Sequence, residues 1–219
     1  MEATKIFAAA IYFVWDKRVT LAKALSVPFG IYVLLGMAFQ EEAPASVIVL
    51  HGLLTLAIHT LFAITTHRIM LLGEDSVPAW GLRRWTMRES YFFCYSLVLG
   101  CLFLPVAVVF FIPYVGFFLG PATLLYLLFW VYPGLCLVFP GVAVDKTVSL
   151  RRAWELTRNY RVPMAWIIVL FPVLFGIPAI IVSVIPYTYL LVLVLETMAN
   201  VYTIAALSIA YREICRLES

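Results

Sequence analysis

Charge is what this sequence has least of. Only 12% of its 219 residues are Asp, Glu, Lys or Arg, while 64% are hydrophobic. An ordinary soluble domain is about one-quarter charged, so a mean hydropathy of +1.03 excludes a soluble fold. Cysteine is scarce too: Cys94, Cys101, Cys136 and Cys215 form no CxxC pair and read as small apolar packing residues, not as a disulfide framework. Catalytic signatures are missing, since no phosphate-cradling glycine loop, HExxH or GxSxG occurs. His51, His59 and His67 follow one another in steps of eight. Each step is about 12 Å of helix rise and about 80° of rotation, so the three cannot share one ion. The expectation is a protein with no catalytic residue, no metal and no cofactor.

What the chain has instead is long uncharged runs. A crossing of about 30 Å of hydrocarbon needs about 20 apolar residues. Ala24 to Gln40 and Ala43 to His67 each supply one crossing. No charge lies between Glu89 and Asp145, a run long enough for two, with a turn expected in the Pro113 to Pro121 stretch where two prolines and two glycines bracket its middle. From Val162 to Tyr211 the only charge is Glu196, and Pro186-Tyr187 is the natural break between two more. The fold class expected is all-α: a polytopic membrane protein forming one domain over 1–219, with spans at 22–39, 45–67, 90–112, 119–142, 163–185 and 189–210.

All 15 lysines and arginines then fall on one side of the membrane, and the opposite loops near Gln40, Tyr114 and Pro186 contain none. Lysine and arginine stay in cytoplasmic loops, so both termini are expected in the cytoplasm. That topology accounts for the basic loops without nucleic acid. A basic cytoplasmic face suits anionic lipid headgroups. The apolar stretch Ile6 to Trp15 is short and runs into Asp16-Lys17-Arg18, not a small-residue cleavage site, so it reads as an interfacial helix rather than a signal peptide.

The segment Ser149 to Asn159 reads as a second interfacial helix. Leu150, Ala153, Trp154 and Thr157 repeat at helical spacing, Arg151, Arg152 and Arg158 take other faces, Ser149 caps the start and Pro163 closes the end. Trp15, Trp85 and Trp154, with Arg88 and the 151/152/158 arginines, therefore give each pair of spans a basic, tryptophan-bearing lead-in at headgroup level. Either a threefold repeat or simply similar span lengths produces this regularity.

Leu137-Val-Phe-Pro140-Gly-Val-Ala-Val-Asp145-Lys-Thr-Val-Ser149-Leu-Arg-Arg-Ala153-Trp154-Glu-Leu-Thr157-Arg-Asn159 and the closing Ala210-Tyr-Arg-Glu-Ile214 resemble YciC-like bacterial inner-membrane proteins. They also resemble the membrane domain attached to some glycerophosphoryl diester phosphodiesterases. The likeness covers the six-span layout and these two motifs. The chain leaves no room for a soluble phosphodiesterase domain, so the resemblance implies a stand-alone membrane module of the bacterial inner membrane.

Glu196 is the exception to apolar packing. It lies about eight residues into the sixth span, about 12 Å below the outer surface by helix rise. An ionisable group at that depth is a functional candidate by default. Asn200 and Thr203 continue its face, and Thr55 and His59 of the second span lie at similar depth. Two readings fit the stripe: a polar pocket that responds to protons or substrate, and interhelical hydrogen bonds that set helix order. The leading functional expectation is a non-catalytic protein that organises membrane lipid, a membrane-protein partner or another copy of itself through its basic collar. The alternative is a small transporter or channel-like protein using the stripe around Glu196.

Overall fold

The computed structural model describes residues 2–38, 43–81, 84–146, 148–185 and 187–218. The expected outer-loop residues Gln40, Glu41 and Glu42, the break at Pro186 and the basic Arg83 lie outside the described residues. The protein is an all-α polytopic membrane protein. Six helices are long and apolar enough to cross a bilayer: Arg18–Ala38, Ala45–Leu72, Met87–Phe110, Gly116–Ala143, Arg161–Ser183 and Tyr189–Leu217.

The elements, in chain order, begin with α1 (Ala3–Asp16), α2 (Arg18–Ala38) and α3 (Ala45–Leu72), followed by a 3-10 turn at Glu74–Ser76. The third span is α4 (Met87–Cys101) and α5 (Leu104–Phe110). The fourth is α6 (Val115–Tyr126), a π-helical turn at Leu127–Val131, α7 (Tyr132–Leu135) and α8 (Val138–Ala143). A short α9 (Leu150–Leu156) leads to the fifth span, made of α10 (Arg161–Ala165), a π-helical turn at Trp166–Leu170 and α11 (Phe171–Ser183). The sixth span is α12 (Tyr189–Leu217).

A proline follows every interruption of spans three, four and five, although α2 carries Pro28 unbroken. The proline ring removes a backbone donor and clashes with the carbonyl four residues earlier, and a widened turn just before it absorbs the clash. Both π-helical turns end two residues before a proline, Pro133 and Pro172. Span three breaks before Pro105, and α8 restarts two residues before Pro140. α3 and α12, without proline, run unbroken over 28 and 29 residues.

These two helices form the centre. Both run beyond the ends that charge suggests, at His67 and Ala210, because their last turns are buried: Thr66, His67, Arg68 and Ile69 on α3, and Ala205, Ala206, Ser208, Ala210 and Ile214 on α12. Small side chains permit close helix approach in a membrane. His67 Nδ1 lies 2.7 Å from Ser208 Oγ. Ser208 already donates to the Ile204 carbonyl, so the His67 Nδ1–H is the donor of that contact.

The expected turn over 113–121 is tighter than its composition suggests. The chain reverses over residues 111–114, with Tyr114 at φ 62°, and Gly116, Gly120 and Pro121 already belong to α6. A Cβ at Gly116 would collide with the Val109 carbonyl and one at Gly120 with the Phe110 ring, so these glycines let α5 and α6 pack close.

Ion pairs gather residues from many segments at one end of the bundle. Lys17 reaches Glu74, Arg68 reaches Asp145 and Arg152 reaches Glu218. This is the basic end of the bundle.

Candidate functional site

The lead-in segments at the basic end are not equivalent. α1 is an amphipathic helix whose Ile6, Ala10 and Val14 are buried while Ile11, Tyr12 and Trp15 are exposed. Phe7 stacks on Phe171 of α11, ring centroids 4.3 Å apart. Trp15 is the exposed ring at its end, with the Arg18 guanidinium 5.0 Å from the ring centroid and Arg18 Nη1 donating to the Trp15 carbonyl at 2.8 Å. Before span three the described residues form no long helix. Among the described residues only the 3-10 turn precedes Thr86, and Trp85 is held locally by its indole N–H donating to Ser90 Oγ.

α9 is shorter than the expected 149–159. Ser149 caps it by accepting from the Arg152 N–H. It stops at Leu156, and the Thr157 hydroxyl faces the Ala153 and Trp154 carbonyls and donates across to the Gly134 carbonyl at 2.9 Å. That contact sets α9 level with α7 rather than with the end of α8. The Trp154 ring occupies the space a Cβ at Gly134 would need. Arg161 lies between two indoles, 3.7 Å from the Trp154 centroid and 4.8 Å from that of Trp130. Cation–π attraction is stronger when the cation is desolvated, and the Arg161 Nε is buried without a hydrogen-bond partner. Arg151, Arg152 and Arg158 are exposed, with Arg151 and Arg152 shared onto Glu155.

Arg88 was expected to face lipid, and the structure corrects this: it is 8% exposed. Its Nη2 and Nε bind Glu89 Oε1 at 2.6 and 3.0 Å, and its Nη1 reaches both Asp145 oxygens at 3.2 and 3.3 Å. Arg68 Nη1 donates to Asp145 at 2.7 Å and to the Ala143 carbonyl at 3.1 Å. Glu89, 2% exposed, also closes a capping box on Thr86. The physical reason is that a guanidinium buried beside two carboxylates is stabilised by paired hydrogen bonds that lipid tails cannot supply. Spans two, three and four are thereby joined by one charge cluster. A cavity of about 410 Å³ opens beside it, lined by Arg88, Tyr91, Tyr95, Asp145, Lys146 and Ser149 among others.

A larger cavity, about 550 Å³, runs between α2 and α12. Leu21, Ala22, Leu25, Ser26 and Phe29 form one wall, and Val194, Thr197, Met198, Val201 and Tyr202 the other. Val14, Trp15 and Arg18 line its end at the basic side. Its shape follows from how the two helices meet. Far from the basic end they touch, since a Cβ at Gly36 would overlap the Tyr189 hydroxyl and Tyr32 interacts electrostatically with Glu196. Toward the basic end α1 lies against α12, and the groove opens.

The intramembrane stripe does not assemble into one pocket. Glu196 and Asn200 are exposed on α12, not buried against span two. The buried face of α12 is taken by Ala199, Tyr202, Ala205 and Ala206, whose small or flat side chains fit the close contact with its neighbours. The Tyr32 ring meets His59 edge-on at 5.2 Å, and Tyr32 also interacts electrostatically with Glu196. Thr203 donates back to the Ala199 carbonyl. Thr55 Oγ1 is buried with no hydrogen-bond partner.

Sequence reasoning missed Arg18, Arg161, Asp145 and Tyr32. The Trp15-Asp16-Lys17-Arg18 spacing was a usable signal for the first, since residues three apart on a helical path lie on one side and bring a cation over a ring. Asp145 and Glu89, the charges that bound the longest uncharged run, pointed to the second span-linking cluster. Among the described residues no group of His, Cys, Asp and Glu could hold a metal ion, and the four cysteines are free. No family model, curated protein or solved structure matches this chain.

Proposed function

We propose that this protein is a non-catalytic member of the bacterial inner membrane, YciC-like in kind, with both termini in the cytoplasm, and that it organises anionic lipid through its basic end. The observation that carries this reading is the pairing of cations with indoles there. Trp15 carries Arg18, and Trp154 and Trp130 enclose Arg161, while Arg151 and Arg152 on α9 and Arg158 in the turn after it stay exposed. Indoles favour the headgroup level of a bilayer. Exposed arginines beside them reach lipid phosphates, each contributing about 1 kcal/mol near an anionic surface. The buried arginines do other work: Arg68 and Arg88 are committed to Asp145 and Glu89.

The test is to replace Arg151, Arg152 and Arg158 together by glutamine and measure anionic lipid that co-purifies in matched detergent at low and high salt. The expected outcome is less anionic lipid and a flatter salt dependence. Retention and salt response equal to the native protein would reject the collar. A second reading, a small transporter, is supported by the contact of Tyr32 with both Glu196 and His59, which joins polar groups of three spans within the membrane.

A further inference from the structure

We infer that the groove between α2 and α12 holds one acyl chain of a membrane phospholipid whose phosphate rests on Arg18. The inference deepens the lipid-organising reading and rests on it.

The walls are apolar by construction. Ala22 and Ser26, one turn apart on α2, are small and hollow out one side, and the Ser26 hydroxyl is spent on the Lys23 carbonyl at 2.7 Å. Water needs two to four polar partners to settle in a cavity, and these walls offer almost none. The occupant is therefore apolar where it meets the walls.

Length selects an acyl chain. From Arg18 to Phe29 the helix rises about 16 Å. That is close to half of the roughly 30 Å hydrocarbon core, the depth of one leaflet. The groove is closed beyond Phe29, where Tyr32 meets Glu196 and Tyr189 lies against Gly36. A further helix, about 10 Å across with its side chains, would fill about 1,250 Å³ over that length, more than twice the cavity's volume of about 550 Å³.

Charge selects the head. Arg18 lines the open end and gives one N–H to the Trp15 carbonyl, which orients the guanidinium over the indole and leaves its other donors for phosphate oxygens. The neighbouring carboxylates do not neutralise it, because Asp16 and Glu74 both pair with Lys17. Cation, indole and apolar slot thus occur in the order in which a phospholipid presents phosphate, glycerol and chain.

The experiment titrates the purified full chain in detergent with phosphatidylglycerol and, separately, with diacylglycerol of the same chains, and counts bound lipid by native mass spectrometry. The native protein is expected to bind one phosphatidylglycerol tightly and to prefer it to diacylglycerol. Ala22→Phe and Met198→Trp fill the groove from opposite walls at exposed positions. Each should weaken both lipids by about tenfold or more, with helicity unchanged by circular dichroism. Arg18→Gln should remove the preference for phosphatidylglycerol and leave diacylglycerol binding as it was. The Arg151/Arg152/Arg158 triple glutamine variant should keep this single lipid, so loss of the collar effect and loss of groove binding are read separately. Two outcomes overturn the inference: folded Ala22→Phe and Met198→Trp that retain phosphatidylglycerol like the native chain, or a native dimer that Ala22→Phe dissociates.

Discussion

At the scale of single residues, Asp145 carries the most consequence. It sits at φ 61°, a left-handed conformation that a short polar side chain tolerates better than most. Its carboxylate, 58% exposed, is the meeting point of two nearly buried guanidiniums from different spans. Without it Arg88 keeps Glu89, but Arg68 is left with the Ala143 and Ser76 carbonyls alone. Asp145→Asn preserves the backbone preference and one acceptor and removes the charge. Breaking a fully buried pair costs about 3–5 kcal/mol, and the exposure of Asp145 reduces that, so a loss of about 1–3 kcal/mol is expected. Thermal unfolding in detergent checks it, and a melting temperature equal to the native protein's would show that the two arginines are satisfied without Asp145.

At the scale of elements, the junction of α1 with α2 is tied to the 3-10 turn after α3. Lys17 Nζ lies 2.8 Å from Glu74 Oε1 and the Thr20 hydroxyl donates to Glu74 Oε2 at 2.8 Å. The hydrogen bonds from Lys17 and Thr20 hold the Glu74 carboxyl below its ordinary value of 4.5. Glu74 and Asp16 together hold Lys17 above 10.5. The signs define a window. The Glu74 contribution is complete above 4.5, the unfolded value, and disappears as pH falls through the lower folded value. The Lys17 contribution is complete below 10.5 and disappears as pH rises through the higher folded value. Amide exchange at Ser76 and Val77, corrected for intrinsic rates, should therefore rise when the protein is acidified below the carboxylate range. Glu74→Gln should show the faster exchange already at neutral pH. Exchange that ignores both changes would mean the tether does not hold the turn.

At the scale of the whole molecule, six crossing helices place the described loops at two ends, and among the described residues the ion pairs between segments lie at the basic end. With the four native cysteines replaced, single cysteines at Ala43, Phe117 and Thr188 should react with an impermeant thiol reagent added outside cells. One at Ser149 should stay protected until the membrane is opened. Labelling of Ser149 in sealed cells would reverse the proposed orientation.

The crossings were legible in the sequence because apolar length is a local property: a run without charge must either span or be buried, and each run has its own span in the structure. The caps at Ser149 and at Thr86, and the punctuation by Pro105, Pro133, Pro140 and Pro172, are likewise local, set by backbone groups within a few residues. What local pattern cannot carry is which face of a helix meets which neighbour. Arg88 reads as one more surface cation until the fold brings Asp145 to it from another span, and Glu196 reads as buried until α12 turns its small residues inward. The groove is decided entirely by tertiary structure: α2 and α12 converge at Tyr32, Gly36, Tyr189 and Glu196 and part where α1 lies against α12. An angle between helices arises from side chains far apart in the chain packing together, and no single stretch of sequence contains it.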